Sequence, residues 1–225
     1  MAVTDNQVIP LFPLGIVALP GLPIPLHIFE ERYKLMVGEC LEQDRPFGIV
    51  FFSGGRLQNA GCTVRVIQLI KRYEDGRMDI LTRGENRFLI QKLFEDKPYL
   101  QASVRYFQDQ PEDFNDDMAG SAQKGLQALE ELTRLLTGRA KSEPIDTDDI
   151  EQLSFFIAGC EGFSAEEKQA FLEMTSTRIR LQKSTRAMSA LIERIRLTEK
   201  IKSVINGNGH LNKLPGADTS LPQQA

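Results

Sequence analysis

The sequence is poor in the residues that most often hold metals or cross-link small proteins. It contains three cysteines and two histidines among 225 residues. Because Cys40, Cys62 and Cys160 are odd in number and far apart, they predict neither a disulfide framework nor a CxxC metal pair. A zinc site needs several convergent cysteine or histidine ligands, which this spacing does not offer. We therefore expect no metal and no cofactor. His27 alternates with apolar neighbours, which predicts a surface position on a strand.

Long apolar runs are also absent, since no stretch approaches the roughly 20 residues that span a bilayer. Five prolines interrupt the most apolar segment, residues 9–36: Pro10, Pro13, Pro20, Pro23 and Pro25. Each proline fixes φ and lacks an amide donor, so this segment is neither a signal helix nor a membrane span. We expect extended pieces joined by turns, with a corner at Pro20-Gly21. These absences predict a cytoplasmic protein with no membrane partner.

Sequence signals for nucleotide binding and catalysis are missing. A P-loop needs a lysine and then serine or threonine after its last glycine, because these groups surround the phosphates. The segment 120–125 continues with Leu126 and does not fit. Asp79 and Glu85 are predicted beside turns, where we interpret them as solvated acids; a paired-carboxylate role is the alternative. The net charge of −4 gives no general attraction to nucleic acid. We expect no ATP binding and no enzyme activity.

The first half of the chain has the pattern of a small β-barrel with one packed helix. Predicted strands lie at 47–52, from Cys62 to Ile70, and at 78–82, 87–94 and 99–107, with a hairpin at Asp75-Gly76. One helix interrupts them, and its apolar stripe has helical spacing. The stripe consists of Tyr33, Met36, Val37, Cys40 and Leu41. Burial as a small apolar residue is the interpretation of Cys40.

The second half has helical patterns after an acidic connector that is predicted to lack regular structure. The connector residues are Asp109, Glu112, Asp113, Asp116 and Asp117. Successive helices are predicted to end at Gly138 and near Gly159, and Ser164 with Glu167 forms a capping box for a third. A long final helix is predicted from about Ser176 to Ile205. The fold class is therefore α+β, with a barrel subdomain at 1–108, a helical subdomain at 109–205 and a disordered tail at 206–225.

The opening segment carries an ordered series of short motifs. They are Pro10-Leu11-Phe12-Pro13-Leu14, Pro20-Gly21, Pro25-Leu26, Ile28-Phe29-Glu30 and Arg32-Tyr33. This series resembles the opening of the Lon N-terminal domain family. The resemblance continues through Gly61-Cys62-Thr63-Val64, where Val64 replaces the commoner alanine, and through Pro98-Tyr99-Leu100. It covers roughly residues 8–182.

The resemblance implies a PUA-like β-barrel followed by an α-helical bundle. In full-length Lon proteases this region is associated with substrate recognition and oligomer organisation, and it hydrolyses neither ATP nor peptide bonds. The family's serine–lysine proteolytic domain has no room after residue 205. We therefore expect a stand-alone domain without the ATPase and protease domains. Its expected function is to bind unfolded polypeptide or a specific protein partner, as an adaptor or regulator in protein quality control.

Two surfaces are candidates for polypeptide binding. Glu31, Arg32 and Lys34 begin the first helix, off its apolar stripe, and are predicted to be accessible. The alternative for these three residues is a helix-start ion pair, which contributes little to stability at a surface. Leu22 lies at the proline-glycine corner, where an apolar side chain on a turn is predicted to reach solvent.

The alternative function is RNA binding by a PUA-like module through the basic final helix. Arg194, Arg196 and Lys200 are the candidate residues for an anionic partner. The competing interpretation is that acidic and basic helices complement each other within one bundle, or face water. Aromatic residues, which usually interleave with basic ones where single strands bind, are absent around these cations.

Overall fold

Strands occupy the first half of the chain and helices the second, apart from one early helix. The structure, a computed structural model, describes residues 7–113, 116–138 and 149–208. The strands are β1 Gln7–Leu14, β2 Pro23–Ile28, β3 Phe47–Ser53, β4 Arg56–Arg72, β5 Met78–Phe94 and β6 Gln101–Phe107. The helices are α1 Glu31–Glu42, α2 Asp116–Thr137, α3 Ile150–Ala158, α4 Ala165–Glu173 and α5 Thr177–Asn208. This order confirms the α+β prediction.

The strands form a small barrel. Their order in the sheet is β2-β5-β4-β3-β1-β6, and β5 also pairs with β6. The extra pairing closes five strands into a ring and leaves β2 outside it, paired with the first part of β5. Closure of this kind removes most of the sheet edges. The predicted barrel is therefore present, with an extension in which β2, β5 and β4 continue beyond the ring.

The barrel has fewer and longer strands than the sequence predicts. The strands predicted at 78–82 and 87–94 are one strand, β5, so the predicted break between them is wrong. Gly84 lies in this strand against the preceding corner, where a Cβ would be 2.1 Å from the carbonyl oxygen of Leu19. Glu85 consequently lies within β5 and not beside a turn, whereas Asp79, the second residue of β5, follows the hairpin turn as predicted. β4 likewise starts at Arg56 instead of Cys62.

Helix α1 packs its apolar stripe into the barrel. Tyr33, Met36, Val37 and Cys40 are buried, as predicted, whereas Leu41 is half-buried. The ring of Tyr33 lies 4.1 Å from that of Phe12 in β1, measured between centroids. Burial also raises the pKa of the Cys40 thiol. Cys40 is therefore part of the core.

The later helices follow the predicted boundaries closely. Gly138 follows α2 with a φ of 68°, Gly159 caps α3, and the capping box at Ser164 is formed. Helix α5 continues to Asn208, three residues beyond the predicted end. The rest of the predicted disordered tail, 209–225, lies outside the described residues. Within the described ranges, no helix is both long and apolar enough to span a bilayer.

A buried cluster of charged side chains joins the barrel to the helices. The connector has no helix or strand at 108–113, as predicted, but the Asp109 side chain is only 5% exposed. Its Oδ1 accepts a hydrogen bond from Arg87 of β5, and its Oδ2 accepts one from Arg180 of α5, each at 2.5 Å. The Thr177 hydroxyl also donates to Oδ2. We call Arg87, Asp109 and Arg180 the junction cluster.

Candidate functional site

The corner formed by Pro20, Gly21 and Leu22 is docked on helix α3. Gln152 Nε2 donates a hydrogen bond to the Pro20 carbonyl at 3.0 Å. Gly21 has a φ of 75°, and a Cβ there would lie 1.9 Å from Gln152 Nε2. A Cβ on Gly159 would lie 2.0 Å from Leu22 Cδ2. Leu22 is therefore half-buried against the end of α3, and the prediction of a solvent-exposed side chain is only partly right.

The corner and helices α2 and α3 enclose an apolar groove of about 450 Å³. Its main lining residues are Leu22, Leu129, Leu132, Leu136, Phe156 and Cys160. Leu136 is 52% exposed, and Glu161 is the one charged side chain among the described residues of the lining. A volume of this size lies in the range of small-ligand pockets, which are also mostly apolar. The groove can therefore receive an apolar side chain from a partner molecule.

Sequence reasoning found one residue of this groove and missed the others. Leu129 and Leu136 have the apolar spacing that predicts α2, and Phe156 has the spacing that predicts α3, but this spacing does not mark a groove. Leu136 lies one turn after Leu132 on the same face of α2, yet Leu132 is buried and Leu136 is exposed, so this apolar face extends beyond the core. Leucines that extend beyond the core are the sequence signal for a groove. Which segment of the chain lies against them depends on where the corner at Pro20, Gly21 and Leu22 docks.

The start of α1 is a second and separate surface. The side chains of Glu31 and Arg32 are 88% and 51% exposed, whereas that of Lys34 is 14% exposed. The prediction that Lys34 is accessible is therefore wrong. Its ammonium donates to Glu31 Oε1 and to the Asp75 carbonyl, each at 2.7 Å. These contacts are the local ion pair that was the alternative to binding, and they tie α1 to the β4–β5 hairpin.

An aromatic cluster lies beside the start of α1. Asp79 accepts a hydrogen bond from Tyr73 at 2.7 Å and contacts His27 Nδ1 at 2.6 Å. These hydrogen bonds, from His27 and then Tyr73, lower the pKa of Asp79. Phe29 is 60% exposed and stacks on His27. His27 lies on the exposed side of β2, as predicted. Side chains alternate between the two faces of a strand, so the burial of Ile28 at the end of β2 indicates that Phe29 faces outward.

The two predicted polypeptide-binding surfaces lie at opposite ends of strand β2. Leu22 immediately precedes β2, and Glu31 follows it after a short turn. Six strand residues extend over about 20 Å. The structure therefore does not bring Leu22 together with Glu31, Arg32 and Lys34, and the apolar groove belongs to Leu22 alone.

The basic end of α5 is partly engaged with carboxylates of the protein itself. Arg196 forms ion pairs with Glu131 of α2 and with Glu193, the latter at 3.1 Å. Arg194 and Lys200 are exposed. The pairing of Arg196 with α2 is the complementarity between acidic and basic helices that was the competing interpretation. This geometry does not favour the RNA alternative.

The cysteines are placed as structural residues. Burial raises the pKa of the Cys62 thiol to about 12 and that of Cys160 to about 11. Thiols of this kind are poor nucleophiles because little thiolate forms. Among the residues that the structure describes, no three His, Cys, Asp or Glu side chains are arranged to hold a metal ion.

Comparison with curated proteins gives a consistent set of relatives. Lon protease 2 of Myxococcus xanthus is 25% identical over 213 residues, which is 89% of this chain and 26% of that protein. The Lon protease of Syntrophus aciditrophicus is 26% identical over 220 residues, which is 88% of this chain and 27% of that protein. The chain thus spans about a quarter of the length of the curated relatives it matches.

Solved structures share the fold. The Lon N-terminal domain protein from Xanthomonas campestris has a TM-score of 0.62 at 24% identity, over 79% of this chain and 96% of that one. The N-terminal domain of the Mycobacterium avium complex Lon protease has a TM-score of 0.61 at 14% identity, over 81% and 98%. Residues 8–190 match the family model described as the ATP-dependent protease La (LON) substrate-binding domain. The chain therefore belongs to the family of LON substrate-binding domains.

Proposed function

We propose that this protein is a non-enzymatic polypeptide-binding module, acting as an adaptor or regulator in protein quality control. The observation that carries the proposal is the groove between the Leu22 corner, α2 and α3. It is apolar, it is open to a partner, and its rim exposes Leu136. The description of the matched family as substrate-binding supports a polypeptide as the partner.

The groove suits weak binding of many unfolded sequences. Burying one large aliphatic or aromatic side chain contributes about 1.5–3 kcal/mol. Association also costs translational, rotational and side-chain freedom, so one anchored side chain gives low affinity. A folded protein hides most such side chains, whereas an unfolded chain presents several. The groove therefore distinguishes folded from unfolded partners through the number of accessible apolar residues.

The test is binding of a permanently unfolded polypeptide to a groove variant. Fluorescently labelled, reduced and carboxymethylated lactalbumin is titrated with the wild type and with Leu136→Asp, and anisotropy is measured. Because Leu136 is already 52% exposed, this change leaves the fold intact and places a charge at the groove. We expect at least about a tenfold loss of affinity.

Leu197→Asp is the matched control. Leu197 is 59% exposed on α5 and does not line the groove. We expect this variant to bind as the wild type does. Equal binding by Leu136→Asp would contradict the groove as the site. Cleavage of the probe, with or without ATP, would contradict the non-enzymatic part of the proposal; its mass after incubation decides this.

A further inference from the structure

The distal part of β4 is an unpaired sheet edge. β3 pairs with β4 only between Arg56 and Val64. From Arg65 to Arg72, β4 pairs with β5 on one side, and no described strand lies on the other. We call residues 65–72 the open edge. An open edge with free amides and carbonyls is a template for pairing with another chain.

The hydrogen bonds of β5 show which amides of the open edge point outward. Gly84 uses its N–H and C=O on the corner side, bonding the Leu22 carbonyl and the Gly21 amide. Backbone groups alternate along a strand. Those of Leu81 and Arg83 therefore point toward β4, where their partners are Gln68 and Arg65. Val66 and Leu69 lie between the residues that bond to β5. Their backbone N–H and C=O groups therefore point away from β5, toward the unpaired side of β4.

The opposite edge of the same extension lacks amide donors. β2 pairs with β5 through Pro23 opposite Arg83 and Pro25 opposite Leu81. Since Arg83 and Leu81 bond toward β4, the two prolines lie at positions whose backbone groups face solvent. Proline at such positions prevents further strand pairing. The extension thus has one edge blocked by prolines and one edge that retains its amides.

The side chains of the open edge favour an apolar and acidic partner. Ile67, Leu69 and Ile70 are 45%, 41% and 55% exposed. Lys71 and Arg72 follow them, and the ammonium of Lys71 lies 4.4 Å from the centroid of the Tyr73 ring. Lys71 lies opposite Asp79, whose carboxylate is already bonded by His27 and Tyr73. The edge therefore combines an apolar stretch with positive charge at one end.

The same charges disfavour a second copy of this chain as the occupant. Antiparallel pairing of the segment with itself, about its centre, places Arg72 of each copy opposite Arg65 of the other. Glu85 and Asp44 already pair with Arg65, so the facing strand offers Arg72 a cation and no carboxylate. Like charges directly opposite each other destabilise a strand pair. The bulges after Val66 and Leu69 also restrict the edge to short segments, because bulges distort the register available to a neighbour.

We propose that the open edge of β4 binds a short extended segment of a partner polypeptide by strand pairing. The preferred segment contains β-branched residues and has an acidic residue opposite Lys71 or Arg72. This inference rests on the proposed function for the nature of the partner, but it uses a different surface from the groove. Main-chain hydrogen bonds then provide affinity, and the charge at the end selects the segment.

The experiment compares two short peptides of alternating valine and threonine that follow two acidic residues. One peptide has a normal backbone, and the other is N-methylated at alternate amides, which removes donors while the side chains stay the same. Binding to the full chain is measured by anisotropy. We expect the methylated peptide to bind at least about fivefold more weakly. Equal affinity of the two peptides would overturn strand pairing.

Charge reversal tests the selection of the acidic residue. Arg72→Glu is expected to weaken the normal peptide about fivefold. Arg105→Glu, which reverses an exposed charge on β6, is the matched control and is expected to have no effect. An unchanged affinity for Arg72→Glu would overturn the preference for an acidic segment. In amide hydrogen exchange, bound peptide is expected to protect Val66 and Leu69.

Two further outcomes separate this inference from the proposed function. If unfolded lactalbumin binds but both peptides bind equally, the open edge fails and the groove proposal stands. If neither lactalbumin nor the peptides bind, both proposals fail. Light scattering tests for a second copy: a dimer of the wild type that Leu69→Pro converts to monomer would overturn the choice of a foreign polypeptide.

Discussion

Replacing Asp109 by asparagine removes the negative charge from the junction cluster and changes its size little. The side chains of Arg87 and Arg180 are 2% and 0% exposed, so water cannot replace the carboxylate as a partner of either guanidinium group. Their other acceptors remain, including the Met174 carbonyl for both arginines. Asp109→Asn thus removes the carboxylate that bonds both buried guanidinium groups, and leaves the more distant charge of Glu151 to act on them. We expect it to lower the free energy of unfolding substantially.

The size of the effect follows from burial. Removing one member of a buried ion pair costs about 3–5 kcal/mol, because the remaining charge is uncompensated. For a domain of this length, a loss of about 4 kcal/mol lowers Tm by about 10 °C. Asp113→Asn is the matched control, since Asp113 is exposed in the same connector and bonds Arg178 through its backbone carbonyl. A surface change of this kind costs at most about 0.5 kcal/mol.

Urea denaturation and calorimetry at neutral pH measure both variants. If Asp109→Asn lowers Tm by no more than Asp113→Asn does, the junction cluster does not stabilise the fold through this charge. In the wild type, the barrel and helix signals are expected to change together, because the cluster joins β5 to α5. Separate transitions for the two halves of Asp109→Asn would show that the cluster couples them, while the wild type melts in one step.

Acid adds an independent test of the same carboxylate. Burial raises the pKa of Asp109, but hydrogen bonds from Arg180 and Thr177 and the charges of Arg180 and Arg87 outweigh it, so the pKa lies below its ordinary value. A lowered folded-state pKa stabilises the protein above the unfolded pKa of about 3.9. That contribution is lost as pH falls through the lower, folded pKa. Below about pH 4, the Tm of the wild type should therefore approach that of Asp109→Asn.

Three other predictions test the corner, the cysteines and the aromatic cluster. Gly84→Ala should destabilise by about 3 kcal/mol in urea, because its Cβ would lie 2.1 Å from the Leu19 carbonyl oxygen. Gly38→Ala, which meets nothing within 4 Å in α1, should instead stabilise by roughly 0.5–1 kcal/mol. Cys160 should react with a thiol reagent before Cys62, which is fully buried with a pKa of about 12; mass spectrometry of partly labelled protein would show the reverse order if this is wrong. His27→Ala should raise the pKa of Asp79 in an NMR titration, since His27 is the main group that lowers it, and an unchanged pKa would contradict this.

Local signals in the sequence predicted most of the helices. The capping box at Ser164, the glycines at 138 and 159 and the stripe of α1 depend on neighbours within a few residues, so their spacing is readable. The break predicted between strands at 78–82 and 87–94 was wrong, and Gly84 lies in this interval. The structure uses it for close approach to Leu19. A glycine in a predicted strand is compatible with a break in the strand or with close approach of another backbone. Here the position of the Pro20-Gly21 corner decides between the two.

Contacts between distant segments were not readable from the sequence. The acidic connector lacks regular structure at 109–113, as predicted, whereas Asp116 and Asp117 begin α2, so that part of the prediction was wrong. Nothing local distinguishes Asp109, which is buried, from Asp113, which is exposed. The groove could not be predicted for the same reason. Its leucines have the spacing of a core-facing stripe, and only the contact between the corner and α3 shows that they line a groove. Leu22 was identified because an apolar side chain on a turn was predicted to reach solvent. Its partners depend on packing across the whole chain.

The proposed groove and the open edge lie close enough for one polypeptide to use both. In the sheet, Val66 pairs with Thr82, and Thr82 pairs with Ile24, two residues from Leu22. Two strand spacings correspond to about 10 Å. A segment held at the edge therefore raises the effective concentration of its neighbouring residues at the corner, and two weak contacts reinforce each other. On this basis, Arg72→Glu and Leu136→Asp should each weaken binding of a long unfolded chain by about the same factor as they weaken a short probe of that surface, because the two contacts multiply. If either variant alone weakens the long chain by less than about twofold, the surfaces act independently, since the intact surface then supports binding by itself.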